Sequence, residues 1–334
     1  MVTQKSNINI LSTVPLKEEL AHQITSIDSR IRLRSIVDLM TAEQSGNEDA
    51  RRKLDAELSK AEIIFGFNLP SDLIRRAPGL KWIQLISAGV DRYLTDEVRN
   101  SRVTMTSVRG MHAVTISEFV LCEMLMFAKH MPQLLLEKQS RQWKPVTPNV
   151  LRGKTVGIVG MGGIGRETAR LCRAFGMKVM ATYRSARSTS RAKYVDEVYQ
   201  TGSMTDMFRQ CDFVVLSLPL THETKGMIGE HELRSMKRTA YLINISRGRI
   251  VDEEALVRAL EEGRIAGAGL DVFETEPLPV DSRLWGFSNV ILSPHIAGGM
   301  DDYIEQSTDI FCENLKRYIS GKRLLRMVNK QEGY

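Results

Sequence analysis

Thr155-Val156-Gly157-Ile158-Val159-Gly160-Met161-Gly162-Gly163-Ile164-Gly165 is the stretch whose reading decides the fold. An apolar, β-branched run ends abruptly in Gly160-x-Gly162-x-x-Gly165, and a helix-like segment, Arg166 to Phe175, follows at once. Strand, turn and helix in that order are the context that a dinucleotide fingerprint needs. Gly160 permits the tight turn, Gly162 lets the backbone approach a pyrophosphate, and Gly165 lets the helix pack close to the strand. The pyrophosphate then sits against free N–H groups at the positive end of the helix dipole.

Outward from this turn, the sequence predicts strands at Thr155–Val159, Lys178–Thr182, Phe213–Leu216, Tyr241–Ile245, Gly267–Leu270 and Val290–Leu292, with helices in the gaps. Six strands in that rhythm suit a doubly wound dinucleotide domain. Upstream, Asn7–Leu11, Ala61–Phe65, Trp82–Ile86 and Val103–Thr106 read as strands that alternate with charged helical stretches such as Glu48 to Lys60. That alternation predicts a second parallel sheet with helices on both faces. A long helical pattern runs from Ile116 to His130, with Thr115 or Ser117 as its candidate cap, and a polar arm, Gln139 to Pro148, carries Trp143. A final helix, Asp301 to Ser320, places Ile304, Phe311, Leu315 and Ile319 at helical spacing and is expected to return to the first domain.

The bulk numbers agree with a two-domain globular chain: 334 residues, 43% hydrophobic and 26% charged. Lysine plus arginine number 46 against 40 acids, a net charge of +6 without a basic block, which argues against a nucleic-acid partner and suits anionic small molecules. Cys122, Cys172, Cys211 and Cys312 form no metal or disulfide spacing, and Cys122 and Cys172 read as reduced core thiols. No metal is implied. The N-terminus has no signal-peptide pattern and the apolar runs are too short for a membrane span, so the expectation is a cytoplasmic protein with no membrane partner.

Three polar spots follow predicted strands: Asn244-Ile245-Ser246-Arg247-Gly248-Arg249, Leu270-Asp271-Val272-Phe273-Glu274-Thr275-Glu276-Pro277, and Ser293-Pro294-His295-Ile296-Ala297-Gly298-Gly299. Open parallel sheets bind ligands at such carboxyl ends. Moving a hydride to or from a carbon beside a carboxylate needs a planar cation, and a guanidinium clamps a carboxylate by paired hydrogen bonds. It also needs a proton donor for the oxygen, which a histidine supplies. A carboxylate bonded to that imidazole fixes its tautomer and favours its protonated form.

These segments, with Ile86-Ser87-Ala88-Gly89-Val90-Asp91, the stretch Leu151 to Gly165, Leu218-Pro219-Leu220-Thr221 and Glu223-Thr224, resemble the D-isomer-specific 2-hydroxyacid dehydrogenase family over nearly the whole chain. The resemblance implies α/β architecture with two doubly wound parallel-sheet domains, a Rossmann domain at 117–298 inserted in a flavodoxin-like substrate domain made of 1–116 and 299–334. It implies Arg247 as the substrate arginine, Glu276 as the partner of the histidine, and His295 as the general acid/base. It implies that Ser87, Ala88 and Gly89 meet the substrate carboxylate. Cofactor contacts map onto Gly160, Gly162, Gly163, Ile164, Gly165, Leu218, Pro219, Thr224, Ile245, Ser246, Asp271, His295, Ala297 and Gly298. Formate-oxidising relatives carry glutamine in place of the glutamate, so Glu276 favours a hydroxyacid enzyme.

The activity implied is NAD(P)H-dependent interconversion of small 2-oxo acids and D-2-hydroxy acids, with glyoxylate- and hydroxypyruvate-like substrates favoured. The alternatives are a dinucleotide-sensing corepressor, or a dehydrogenase of phosphonates or phosphorylated hydroxyacids. A homodimer built on the long helix and the Trp143 arm is expected from the family. The acidic residue that holds a ribose 2′-hydroxyl about 20 residues past the fingerprint aligns with Tyr183, and Arg184, Ser185 and Arg187 follow. A 2′-phosphate is attracted by such a cluster, so NADP(H) is favoured, with NAD(H) as the alternative. Asp271 reads as a supporting residue, His112 as a loop-packing one and Trp285 as a core anchor.

Overall fold

The computed structural model describes residues 6–183 and 193–334, so Arg184, Ser185 and Arg187 lie outside the described residues. The chain divides into two compact units, Met1–Met111 with Met300–Tyr334, and His112–Gly299. The boundaries thus fall at 111/112 and 299/300, where 116/117 and 298/299 were expected. The first shift follows from the long helix, which spans Ala113–Ala128, starts without a side-chain cap from Thr115 or Ser117, and buries Val120, Leu121 and Met124 in the core of the second unit.

In the first unit, β1 (Ile8–Ser12), β2 (Ile31–Ser35), β3 (Ile63–Gly66), β4 (Trp82–Leu85) and β5 (Thr104–Thr106) form a parallel sheet in the order β2-β1-β3-β4-β5. The sequence reading did not include β2, whose IRLRS alternates apolar and charged residues at a sheet edge and buries only Ile31. The C-terminal helix, Tyr303–Ile319, joins this unit through an aromatic stack. Phe311 lies 4.4 Å from Phe65 and 5.2 Å from Trp82, and Tyr318 lies 5.5 Å from Trp82 between ring centroids. Buried polar groups complete the joint. Trp82 Nε1–H donates to Thr106 Oγ1 at 2.7 Å, the Thr106 hydroxyl donates to Gln84 Oε1 at 2.8 Å, and Asn314 Nδ2 donates to the same oxygen at 3.1 Å. Each buried donor in that chain has an acceptor, which makes the position of the helix specific as well as stable.

In the second unit, β6 (Thr155–Val159), β7 (Lys178–Tyr183), β8 (Glu197–Gln200), β9 (Phe213–Leu216), β10 (Tyr241–Asn244), β11 (Gly267–Leu270) and β12 (Val290–Leu292) run parallel in the order β12-β11-β10-β9-β6-β7-β8. Seven strands replace the six expected, because the part-exposed edge strand β8 (EVYQ) lacks an apolar run. Strand order reverses between β6 and β9, the switch point at which open α/β sheets bind ligands. The helix after the glycine turn spans Gly163–Ala174, earlier than Arg166, and buries Gly165, Thr168, Ala169 and Cys172.

Cys122 is exposed, on the face of Ala113–Ala128 opposite the buried Val120 and Met124; Cys172 is buried, and burial pushes its thiol up to about 12. Trp285 is 58% exposed and donates its indole N–H to Pro279 O at 2.9 Å, so it braces a surface turn and does not anchor the core. No single helix among the described residues is long and apolar enough to cross a membrane; Ala113–Ala128 with Met131–Gln139 passes only as a pair bent by 64°.

One buried acid on the long helix was not anticipated. Glu123 is 1% exposed, and neither carboxyl oxygen has a hydrogen-bond partner. The carboxyl fills the space over Gly269 in β11, where a Cβ would come within 2.6 Å of Glu123 Oε2. Burial, reinforced by the charge of Asp271, pushes Glu123 up to about 8 from an ordinary 4.5. The folded chain therefore keeps a proton that the unfolded chain releases. Relative to Glu123→Gln, wild type is expected to lose stability as pH rises from 4.5 to about 8, by on the order of a few kcal/mol, and to lose no more above that. Thermal unfolding of both proteins across pH reads this difference directly, and a gap that does not change with pH would show that Glu123 is not protonated in the fold.

Candidate active site

The glycine turn has the shape that its sequence predicts. Gly160 has φ +101°, in the left-handed region, and a Cβ there would lie 2.7 Å from both Leu218 Cδ2 and Ser217 O. A Cβ on Gly165 would lie 2.1 Å from Gly160 O, so the helix can approach the turn only with glycine at that position. Across the switch point, the Ser217 hydroxyl donates to Gly160 O at 2.5 Å. Around Gly162 the reverse holds: a Cβ would meet nothing within 4 Å, and no side chain caps the helix that starts at Gly163. Uncapped N–H groups open onto space beside a crowded turn, which fits a bound pyrophosphate.

The other expected cofactor residues divide by position. Leu218 lies over Gly160, and its N–H donates to Ser246 Oγ at 2.9 Å, which ties the loop after β9 to the loop after β10. Thr224 is buried, accepts Thr221 N–H and donates to Pro219 O at 2.7 Å, so its hydroxyl shapes the 218–224 loop. Ile245, Ala297 and Ile164 pack in the core beneath the turn. Gly298 sits against the buried His112, whose Cδ2 would be 3.2 Å from a Cβ at that glycine. Tyr183, the last residue of β7, brings no acid to the strand end.

The loops after β10, β11 and β12 interlock. Asn244 holds the first: its Oδ1 accepts Ser246 N–H at 3.1 Å and its Nδ2 donates to Arg247 O at 3.2 Å. Arg247 Nη1 donates to Ser246 O at 2.7 Å. Gly248 then presses on the second loop, since a Cβ there would fall 1.8 Å from the carbonyl carbon of Phe273. In the second loop, Glu276 Oε1 accepts Phe273 N–H at 3.0 Å, which aims Oε2 at His295 Nδ1, 2.8 Å away. With a carboxylate as its acceptor, Nδ1 carries the proton and Nε2 is the ring nitrogen left to face a substrate.

Asp271 fixes the third loop. Its Oδ1 accepts Ile296 N–H at 2.8 Å and the Ser293 hydroxyl at 2.7 Å, and its Oδ2 accepts Ala297 N–H at 2.9 Å. Between these anchors His295 has φ +54°, a conformation that a histidine holds only when its surroundings enforce it. The side chains of His295 and Glu276 are 46% and 36% exposed, so the pair is accessible although its supports are buried. In the first unit, the loop after β4 is held by the Tyr303 hydroxyl, which donates to Ile86 O at 2.6 Å, and by Ser87 Oγ, which donates to Gly89 O at 2.9 Å. Arg92, not anticipated from sequence, lies over the Phe67 ring at 4.1 Å and the Tyr93 ring at 4.7 Å.

Comparison with known proteins agrees with this geometry. A family model described as D-isomer specific 2-hydroxyacid dehydrogenase, NAD binding domain, matches residues 121–297. The chain is 35% identical over 269 residues to the glyoxylate reductase of Korarchaeum cryptofilum, a match that spans 79% of this chain and 80% of that protein. A D-isomer specific 2-hydroxyacid dehydrogenase from Xanthobacter autotrophicus, solved in complex with NADPH and MES, is similar at a TM-score of 0.82 and 27% identity, covering 98% of this chain and 100% of that one. An NADPH-dependent glyoxylate/hydroxypyruvate reductase from Sinorhizobium meliloti, solved with NADP and sulfate, also gives a TM-score of 0.82 at 27% identity, covering 99% of this chain and 100% of that one. The dinucleotide turn, the interlocked strand-end loops and these likenesses together establish that the chain belongs to the D-isomer specific 2-hydroxyacid dehydrogenase family.

Proposed function

We propose that this enzyme reduces small 2-oxo acids, glyoxylate and hydroxypyruvate foremost, to the corresponding 2-hydroxy acids, of D configuration where C2 becomes chiral, with NADP(H) preferred over NAD(H). The observation that carries the reading is the Glu276–His295 hydrogen bond at 2.8 Å, with the other Glu276 oxygen held by Phe273 N–H. Gly160, Gly162 and Gly165 would hold the pyrophosphate of the reduced dinucleotide, which when bound would supply the hydride for C2 of the acid. His295 Nε2 gives the carbonyl oxygen its proton, which completes the hydroxyl group. Glu276 holds the ring on its Nδ1 side and so fixes its orientation for the transfer. Arg247 pairs with the substrate carboxylate and polarises the adjacent carbonyl. Ser87, Ala88 and Gly89 are the first-unit segment that offers backbone N–H groups to a carboxylate. Asp271 is a positioning residue, acting through the backbone on either side of His295.

The cofactor preference rests on Tyr183 standing where an acid would repel a 2′-phosphate, on Arg184, Ser185 and Arg187 after it, and on the NADPH and NADP named in the two solved relatives. For assembly we propose a homodimer through the helix and arm that follow Ala128. Trp143 there is 97% exposed, and Leu135 and Leu136 on the preceding helix are exposed as well. Apolar residues gathered on one free segment are what a subunit contact covers.

Three measurements test the proposal. With glyoxylate and NADPH, His295→Ala is expected to lower kcat by about a hundredfold or more; full turnover in that variant would remove the proposed acid. Arg184→Ala is expected to raise KM for NADPH about tenfold and leave KM for NADH little changed; an enzyme that prefers NADH in both forms contradicts the assignment. Sedimentation at micromolar concentration is expected to give a dimer for wild type and a weakened one for Trp143→Ser, whereas a monomeric wild type excludes the proposed assembly.

A further inference from the structure

The tail that follows the C-terminal helix runs along the free edge of β5. Ser107 N–H donates to Arg326 O at 3.2 Å, Val328 N–H donates to Met105 O at 2.9 Å, and Thr106 and Met327 form an antiparallel bridge. Between these bonds Arg326 has φ +54°, a left-handed conformation that is unusual away from glycine. Such an outlier, fixed by the ladder around it, asks what its side chain does.

The Arg326 side chain lines an open surface pocket of about 380 Å³ formed wholly by first-unit residues. Four of its seven lining residues are arginines, Arg109, Arg317, Arg323 and Arg326, and none is acidic. Arg317 has a carboxylate partner, Glu313, at 2.9 Å. Among the described residues Arg109, Arg323 and Arg326 have none, and Arg326 Nη1 is buried without an acceptor. Burial and the neighbouring charge of Arg109 push the Arg326 guanidinium below its usual value. Like charges brought together, with a buried N–H left unsatisfied, are costly unless a counter-charge completes them. A guanidinium fork is matched by the paired oxygens of a phosphate or a carboxylate, and the volume exceeds what one inorganic anion needs.

We propose that this pocket binds a small multiply charged oxyanion, a phosphorylated or polycarboxylic metabolite, held by Arg326 and Arg109 with Arg323 and Arg317 around it. The site is additional to the cofactor and 2-oxo acid sites proposed above and does not rest on them.

Isothermal titration of the full chain, saturated with NADP+ to occupy the glycine turn, tests this with pyrophosphate and with citrate in separate runs. Sodium chloride at matched ionic strength is the control. The expected result is saturable binding of at least one of the two anions, weakened about tenfold or more in Arg109→Gln and in Arg326→Gln. Binding of pyrophosphate alone assigns a phosphorylated ligand, and binding of citrate alone a polycarboxylic one. Equal binding by wild type and both variants, no binding of either anion, or heats reproduced by chloride would overturn the site. Arg109 is exposed and outside any strand, so Arg109→Gln keeps the test decisive even if Arg326→Gln fails to fold.

Discussion

Asp271 is the residue on which the geometry of the site depends. A single carboxylate at the end of β11 accepts two consecutive backbone N–H groups and a hydroxyl from the loop after β12. Bonds from neutral donors to a buried charge are among the stronger ones in proteins. Together they hold His295 in a backbone conformation that it would not otherwise keep, and they deliver its ring to Glu276. The imidazole is thus placed by the protein's own backbone and carboxylates, as the proposed general-acid role of His295 requires.

The same strand carries a second constraint. Gly269 lies on the face of β11 that Asp271 shares two residues on, and its missing side chain makes room for Glu123. Two buried carboxyl groups thus act on each other and are treated differently. Asp271 has three donors; Glu123 has none and keeps its proton. A neutral acid beside a charged one avoids the repulsion of two buried anions, so the clamp on the His295 loop and the protonation of Glu123 are linked.

Much of this was legible in the sequence, for reasons that are local. The glycine turn is readable because each glycine answers a demand within a few residues: a left-handed φ at Gly160 and a close approach at Gly165. The buried strands β6, β9 and β11 are readable because parallel sheets covered on both faces need continuous apolar runs. The edge strands β2 and β8 are not, because one exposed side lets charged residues in and the apolar run disappears. Cys122 and Trp285 were misassigned for a related reason: composition says that a residue is apolar but not which way its face turns. The match between Glu123 and Gly269, and the three donors of Asp271, join residues far apart in the chain. No local pattern announces them. Arg247, Glu276 and His295 were nameable from motifs, whereas the packing of Gly248 on Phe273 that locks two of their loops together was not.

The central claim is that a charged carboxylate, not merely a hydrogen-bond acceptor, stands behind the imidazole of His295. Glu276→Gln keeps the size of the side chain and an oxygen able to accept from Phe273 N–H, and removes the charge. Steady-state reduction of glyoxylate by NADPH should then show kcat reduced about a hundredfold, with KM for NADPH and the unfolding temperature little altered. A kcat within about twofold of wild type, from a variant that folds and binds NADPH normally, would contradict the account.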